Sequence, residues 1–555
     1  MGPDNANRLT AVTVNGAGIV TVDTGNHNVV AVNAANANAG YIFKDNANLM
    51  GKIDDTAGGG GTSLTFEGSS TISGTVGQTN PFNKINLNGD ANSVVNFQDA
   101  VEGDTIKVGA GTAKIDADVT GDILFDNNDS GTLLFDTAGN VTVTGAIKTD
   151  GAAVENQRGI IQVNTPVAGN TIQFTGGAIG NNANGQALKE LNIASTNAAT
   201  VVYLNDDAHI QEVNINNGTL QLGNGNNYKI HGINADTNLQ GRLKINNGDA
   251  TLIGLGNDQP VNFGSGEQGK NRLRELFFQG NNTLTIGKGI NIFVNDINGN
   301  AGNQGKLEFA GTSVFSANQS TKALDTVTLA VDADVTFKTP IGTNVTVNGL
   351  TKLGDNSTLQ ISGNYNANGG IEGTNDHVGT TVKFINETPL AFDGTIGDAG
   401  GHDVATIEFA GSNVTFNDRF KHDNQTISFS GATATTITPD ATSVLNTINF
   451  ENNSTEDVVH TVVLTNAANN FTGNLAVANN NKQINFQLSN GKNVSINGGQ
   501  AYGANFTTDT NGEGELTMNF GGARINQAGT DTKSLAKVQF ANTGEITSGL
   551  FARHC

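Results

Sequence analysis

The sequence contains no tryptophan, one cysteine and only seven prolines, and Asp, Glu, Lys and Arg together make up just 14% of its 555 residues. With Cys555 alone, an intramolecular disulfide is excluded, so the fold must hold by packing and hydrogen bonding. The terminal thiol is read either as a chance residue or as an intermolecular link. Scarcity of cysteine also suits a chain that crosses an oxidising compartment unfolded. No run of about 18 apolar residues occurs, which excludes a membrane-spanning helix. Residues 1–8 are polar and lack the apolar core of a signal peptide. If the protein is exported, its signal and its membrane anchor are expected outside this sequence. The absence of tryptophan, with only five tyrosines, leaves little for stacking on sugars. Positive charge is scarce too: the net charge is −22, which repels phosphate backbones and argues against nucleic-acid binding.

What is abundant is glycine, 72 residues, set among Asn, Thr, Ser and Asp. Val, Ile, Leu and Phe are renewed throughout at alternating positions, which separates the chain from disordered sequences of similar polarity. Strand-like runs bounded by Gly, Asn and Asp begin at once, at residues 9–14, 19–22 and 29–32.

One stretch organises the whole. Lys306-Leu307-Glu308-Phe309-Ala310-Gly311-Thr312-Ser313-Val314-Phe315 returns as Thr406-Ile407-Glu408-Phe409-Ala410-Gly411-Ser412-Asn413-Val414-Thr415-Phe416. Looser copies include Leu64-Thr65-Phe66-Glu67-Gly68, Leu134-Phe135, Ile427-Ser428-Phe429-Ser430-Gly431, Met518-Asn519-Phe520 and Val538-Gln539-Phe540. The alternation predicts a strand with one buried face, followed by a corner where Gly can take positive φ, then a second strand. A second unit, Leu-x-x-aliphatic-x-aliphatic or Phe, precedes many of these. It occurs at Leu188 to Ile193, Leu273 to Phe278, Leu324 to Leu329, Leu445 to Phe450 and Leu535 to Phe540. Its first Leu is expected to plug the core at a bend.

A unit repeated this often cannot bury its apolar face alone and must stack on its neighbours. Phe429, Phe450 and Phe471 are 21 residues apart, which sets the coil size. The expected fold is all-β, a right-handed parallel β-helix (β-solenoid) rod of irregular repeats of about 20–25 residues. Roughly 22–28 coils stacked at the inter-strand spacing would make a rod on the order of 100–130 Å long. Phe309, Phe409, Phe429, Phe450, Phe520 and Phe540 should stand in buried columns, with Asn ladders at the corners. Residues 1–555 are expected to form one continuous solenoid, with a loop or boundary near 58–61 and another near 364–373.

Ser70-Thr71-Ile72-Ser73-Gly74-Thr75-Val76-Gly77-Gln78-Thr79-Asn80, followed by Ile85-Asn86-Leu87, resembles the repeats of rickettsial surface cell antigens. These are the large autotransporter outer-membrane proteins A and B and their relatives. Ile106 to Ile115, Phe392 to Gly397 and the Leu-x-x units resemble them as well. The resemblance is one of repeat style and covers most of the chain. It implies an exported passenger displayed on the bacterial cell surface by a C-terminal barrel, serving as adhesin, surface-layer protein and antigen. No binding residue carries over.

A few motifs in the sequence come near to sites of known chemistry. Gly264-Ser265-Gly266-Glu267-Gln268-Gly269-Lys270-Asn271 nearly fits a phosphate loop, but Asn271 stands where a Ser or Thr hydroxyl would hold Mg²⁺, and a strand rather than a helix should follow. His402-Asp403, His422-Asp423 and Asp376-His377 are His–Asp pairs about 20 or more residues apart, so stacked corners could bring two together at a metal, with solvated loop residues as the default reading. Asp116, Asp118, Asp122, Asp126 and Asp129 could offer oxygen ligands to Ca²⁺, with turn capping as the default. No G-x-S-x-G elbow occurs. No catalytic, cofactor or metal residue is therefore assigned, and no enzyme activity is expected. The leading expectation is a cell-surface adhesin and surface-layer antigen that meets a host-cell receptor and neighbouring copies. The alternative is a β-helix polysaccharide-processing enzyme or carbohydrate-binding spike.

Overall fold

A computed structural model describes residues 9–546, apart from 59–60, 127–130, 150–157, 166, 168, 181–185, 196–197, 236–238, 255–259, 266–270, 341–342, 377, 398–401, 419–420, 424–425, 441–443, 447, 466–474, 478–481, 490 and 500. The described residues form strands, turns and bends without a helix. The strands group into two units, Met1–Leu284 with Ile292–Asn295, and Thr285–Asn291 with Asp296–Cys555. The pairings within each unit are parallel, and each strand lies against its counterpart one coil later, as a β-solenoid requires.

In the first unit, Tyr41, Leu64, Ile85, Ile106, Ile123 and Ile147 are successive register partners and are all buried. Beside them runs a second column, Phe43, Phe66, Leu87, Val108 and Phe125. The residues between the two columns face outward, so the period of two is preserved coil after coil. In the second unit the corresponding columns are Val335, Leu359, Val382, Ile407, Ile427 and Phe450, and Phe315, Phe337, Ile361, Phe384, Phe409 and Phe429. The Phe384 and Phe409 rings stack at 5.3 Å and 7°, and Phe409 and Phe429 at 5.6 Å and 29°. Coils mostly span about 20–25 residues, but Arg158 pairs with Leu188 and Gln240 with Leu273, coils of about 30 residues that carry longer excursions.

Several expectations are corrected. Phe450 is buried, but it sits over Ile427 in the neighbouring column, and Asn452 is the register partner of Phe429. Asn452 survives in the core because its Nδ2 donates to the carbonyls of Val458 and Gln483, at 2.9 and 3.0 Å, and its Oδ1 accepts from Ser454. Phe520 is only half-buried, because Leu516 and Met518 take the inward positions of the strand Glu515–Met518 and Phe520 falls beyond it. Phe540 is half-buried as well: its strand Lys537–Phe540 pairs on one edge only among the described residues. Phe471 lies outside the described residues.

The 364–373 segment is no loop but a ten-residue strand, Asn364–Gly373, pairing with Asn344–Val347, Thr351–Leu353 and Gly394–Ile396. Its alternating Tyr365, Ala367 and Ile371 supply the buried positions that its glycines obscure. Near 58–61 the described residues do form a connection, between the strands Ala47–Asp55 and Ser63–Phe66. Asp55 organises it by accepting from the Ala57 and Gly58 amides and the Thr62 hydroxyl.

The corner glycines of the organising repeat also act differently than expected. Gly311 and Gly411 do not have positive φ. They are needed for close approach: a Cβ on Gly411 would lie 2.4 Å from the Asn386 carbonyl oxygen, and one on Gly311 would lie 2.7 Å from Lys288 Cβ. The Leu-x-x units fit as strands. Leu188 and Leu273 start the strands Leu188–Ala194 and Leu273–Phe278, and buried Leu324 bridges to Val347 just before Thr326–Leu329.

Candidate interaction surface

Because inward positions are mostly apolar along both units, with exceptions such as Asn452 and His460, most of the polar chemistry lies at outward positions and corners. Outward residues repeat at the coil spacing, so like side chains meet. Asn192, Asn214 and Asn234 form such a ladder, with Asn214 donating to Asn192 at 2.9 Å and to Glu190 at 2.8 Å, and Asn234 donating to Glu212 at 2.8 Å. Asn48 donates to Asn26, Asn368 to Asn348 and Asn519 to Asn497. Asn ladders therefore occur, as expected, but some of them run along strand faces as well as corners.

The candidate acidic residues have local partners. Asp122 accepts from the Ala146 amide and is paired with Lys148, Asp118 accepts from the Thr142 amide at 2.8 Å, and Asp126 lies 3.0 Å from Lys107. Burial pushes the Asp116 carboxyl up, against the pull of Lys114 beside it. Asp129 and His377 lie outside the described residues. His402 is exposed while Asp403 is buried, and Asp376 is exposed. His422 and Asp423 occupy the short strand Lys421–Asp423, paired with Val444–Asn446. Among the described residues no group of three His, Cys, Asp or Glu side chains converges. Of the near-phosphate loop, Ser265 donates its amide to Asn271 and the strand Leu273–Phe278 follows directly, so the helix that such a loop requires is not there.

Two constellations were not anticipated. His209 and His231, one coil apart, bring their Nε2 atoms to 3.0 Å with rings inclined at 25°. Burial, with His209 and Lys229 nearby, pushes the His231 pKa down to about 4, so the ring is neutral near pH 7. The signal was present in the sequence as two histidines separated by one coil. The second constellation lies on the outward face of the strands Gln240–Ile245 and Leu273–Phe278, where Arg242 pairs with Glu275 and Lys244 pairs in register with Phe277. The Arg242 guanidinium lies 4.8 Å from the Phe277 ring centroid.

No family model matches the chain, and no solved structure matches it either. Among curated proteins, the chain is 31% identical over 415 residues to outer membrane protein B of Rickettsia rickettsii. It is 30% identical over 410 residues to that of Rickettsia conorii and 29% identical over 412 residues to that of Rickettsia prowazekii. Each alignment covers 69% of this chain and 22% of the relative, so the chain spans well under a third of the length of the curated proteins it matches. Along about two thirds of its length the chain is homologous to rickettsial outer membrane protein B, which places it at the bacterial outer membrane.

Proposed function

We propose that this chain is part of an autotransporter passenger that serves as an adhesin and surface-layer antigen, attaching the bacterium to host cells through its outward faces. The observation that carries this reading is the homology to outer membrane protein B, joined to a solenoid whose repeated polar ladders turn outward. Such faces supply many hydrogen-bonding groups and few aromatic anchors, so individual contacts are weak and affinity comes from display in many copies. A host-cell receptor and neighbouring copies of the chain are the partners this reading needs.

Beads coated with the purified chain should be retained by host cells in larger numbers than beads carrying an unrelated acidic protein. The soluble chain should compete only at concentrations far above those presented on the beads. Equal retention of the two kinds of bead would remove the adhesin role and leave a structural coat.

A further inference from the structure

Against a net charge of −22 over 555 residues, the segment 229–277 carries six Lys and Arg and five Asp and Glu. Three of those cations gather around one carboxylate. Arg242 is paired with Glu275, whose side chain is only 7% exposed, so that anion is already enclosed and neutralised. Lys244 follows two residues along the same outward face, and Arg274 is close enough to Arg242 and Glu275 to feel both charges. Neither Lys244 nor Arg274 has a hydrogen-bond or ion-pair partner among the described residues. Both are half-buried, and burial first, then the positive Arg242, pushes the pKa of each down, with Glu275 pulling that of Arg274 back up.

We propose that the outward face formed by Arg242, Lys244, Arg274 and Phe277 binds an acidic polysaccharide, one bearing carboxylate or sulfate groups. Guanidinium groups match the planar geometry of carboxylate and the oxygens of sulfate, and Phe277 fixes Arg242 in place by lying beneath it. The rest of the acidic surface repels densely charged nucleic acid but tolerates a chain with an anion at wider intervals. An acidic protein is less suited, since the one aromatic of the face, Phe277, is half-buried beneath Arg242 and does not stand free as the anchor on which protein interfaces rely. The inference goes beyond cell attachment, and its test uses no cells.

The purified chain should be retained on immobilised heparin or polygalacturonate, pass through neutral dextran, and elute as salt rises. Whichever acidic resin retains the chain identifies sulfate or carboxylate as the recognised group. The variant Lys244→Gln/Arg274→Gln should bind about tenfold more weakly, whereas Lys44→Gln, at an ion pair elsewhere, should bind like the parent. Circular dichroism verifies that each variant keeps its β structure, and Lys244→Gln alone serves if the double variant does not fold. No retention on either acidic resin, or equal losses in the patch and control variants, would overturn the proposal. Retention on immobilised polyglutamate but on neither polysaccharide would also overturn it, assigning the face to an acidic protein.

Discussion

Phe409 and Glu308 occupy opposite sides of the same repeated strand. The Phe409 ring is 1% exposed and lies between Phe384 and Phe429, while Glu308 points to solvent. Replacing Phe409 with Ala removes a large part of the column and leaves a cavity between rings, a cost of about 3–5 kcal/mol. Replacing Glu308 with Ala should change stability by less than about 0.5 kcal/mol. Glu408, its counterpart in the later repeat, lies between: it is 2.8 Å from Lys383 and accepts from Ser430. Denaturation monitored for these three variants should show the largest loss at Phe409, a smaller one at Glu408 and the least at Glu308, and similar losses for Phe409 and Glu308 would contradict the assigned strand faces.

His460 makes the residue scale pH-dependent. It is fully buried, stacked 4.7 Å from Phe429, and its Nδ1 accepts from the Thr435 amide at 3.1 Å. Burial pushes its pKa down from 6.5 to about 4. The unfolded chain therefore takes up a proton near pH 6.5 and the folded chain only near pH 4. The stability this neutral ring allows is complete above about pH 6.5 and is lost as pH falls towards 4, by about 3 kcal/mol in all. Amide exchange in the strand His460–Leu464 should accelerate over that range, after correction for the intrinsic pH dependence of exchange. The acceleration should be smaller in His460→Leu, and an unchanged pH response in that variant would contradict the assignment.

At the scale of the element, the solenoid was legible because each strand states its own inward and outward positions. Leu64-Thr65-Phe66 and Thr406-Ile407-Glu408-Phe409 are strands with the expected faces buried. What could not be read was register. Phe450 follows Phe429 by the ordinary coil spacing, yet the pairing places it over Ile427, because nothing local distinguishes a shift of two residues when both neighbouring positions are apolar. Asn452 and His460 hide for a related reason: their acceptability in the core depends on Val458 nearby and on Gln483 and Thr435, which are supplied from neighbouring coils. The strand Asn364–Gly373 was obscured by composition, since its pairing in the sheet overrides the weak β preference of Asn and Gly. The cationic face was missed because charges that look scattered in sequence converge only once Gly241-Arg242 is set against Arg274-Glu275 by register.

At the scale of the molecule, repeated stacking sets how damage spreads. A coil gains its core from the coil before and the coil after, so stability sums over nearest neighbours rather than over one central core. Within the second unit, Phe409→Ala should therefore loosen the strands Thr381–Phe384 and Thr426–Phe429, which pair with it directly. The strand Lys306–Phe309, four or more coils away, should keep its amide protection. Hydrogen exchange of the parent and the variant, compared strand by strand, measures that distance. Loss of protection confined to a few coils is expected. Uniform loss throughout the unit would mean that it opens as one cooperative body, and the additive account of its stacking would fail. Local opening would also matter for a surface protein: damage to one coil would then leave outward ladders several coils distant intact, and with them the contacts that the proposed many-copy attachment would use.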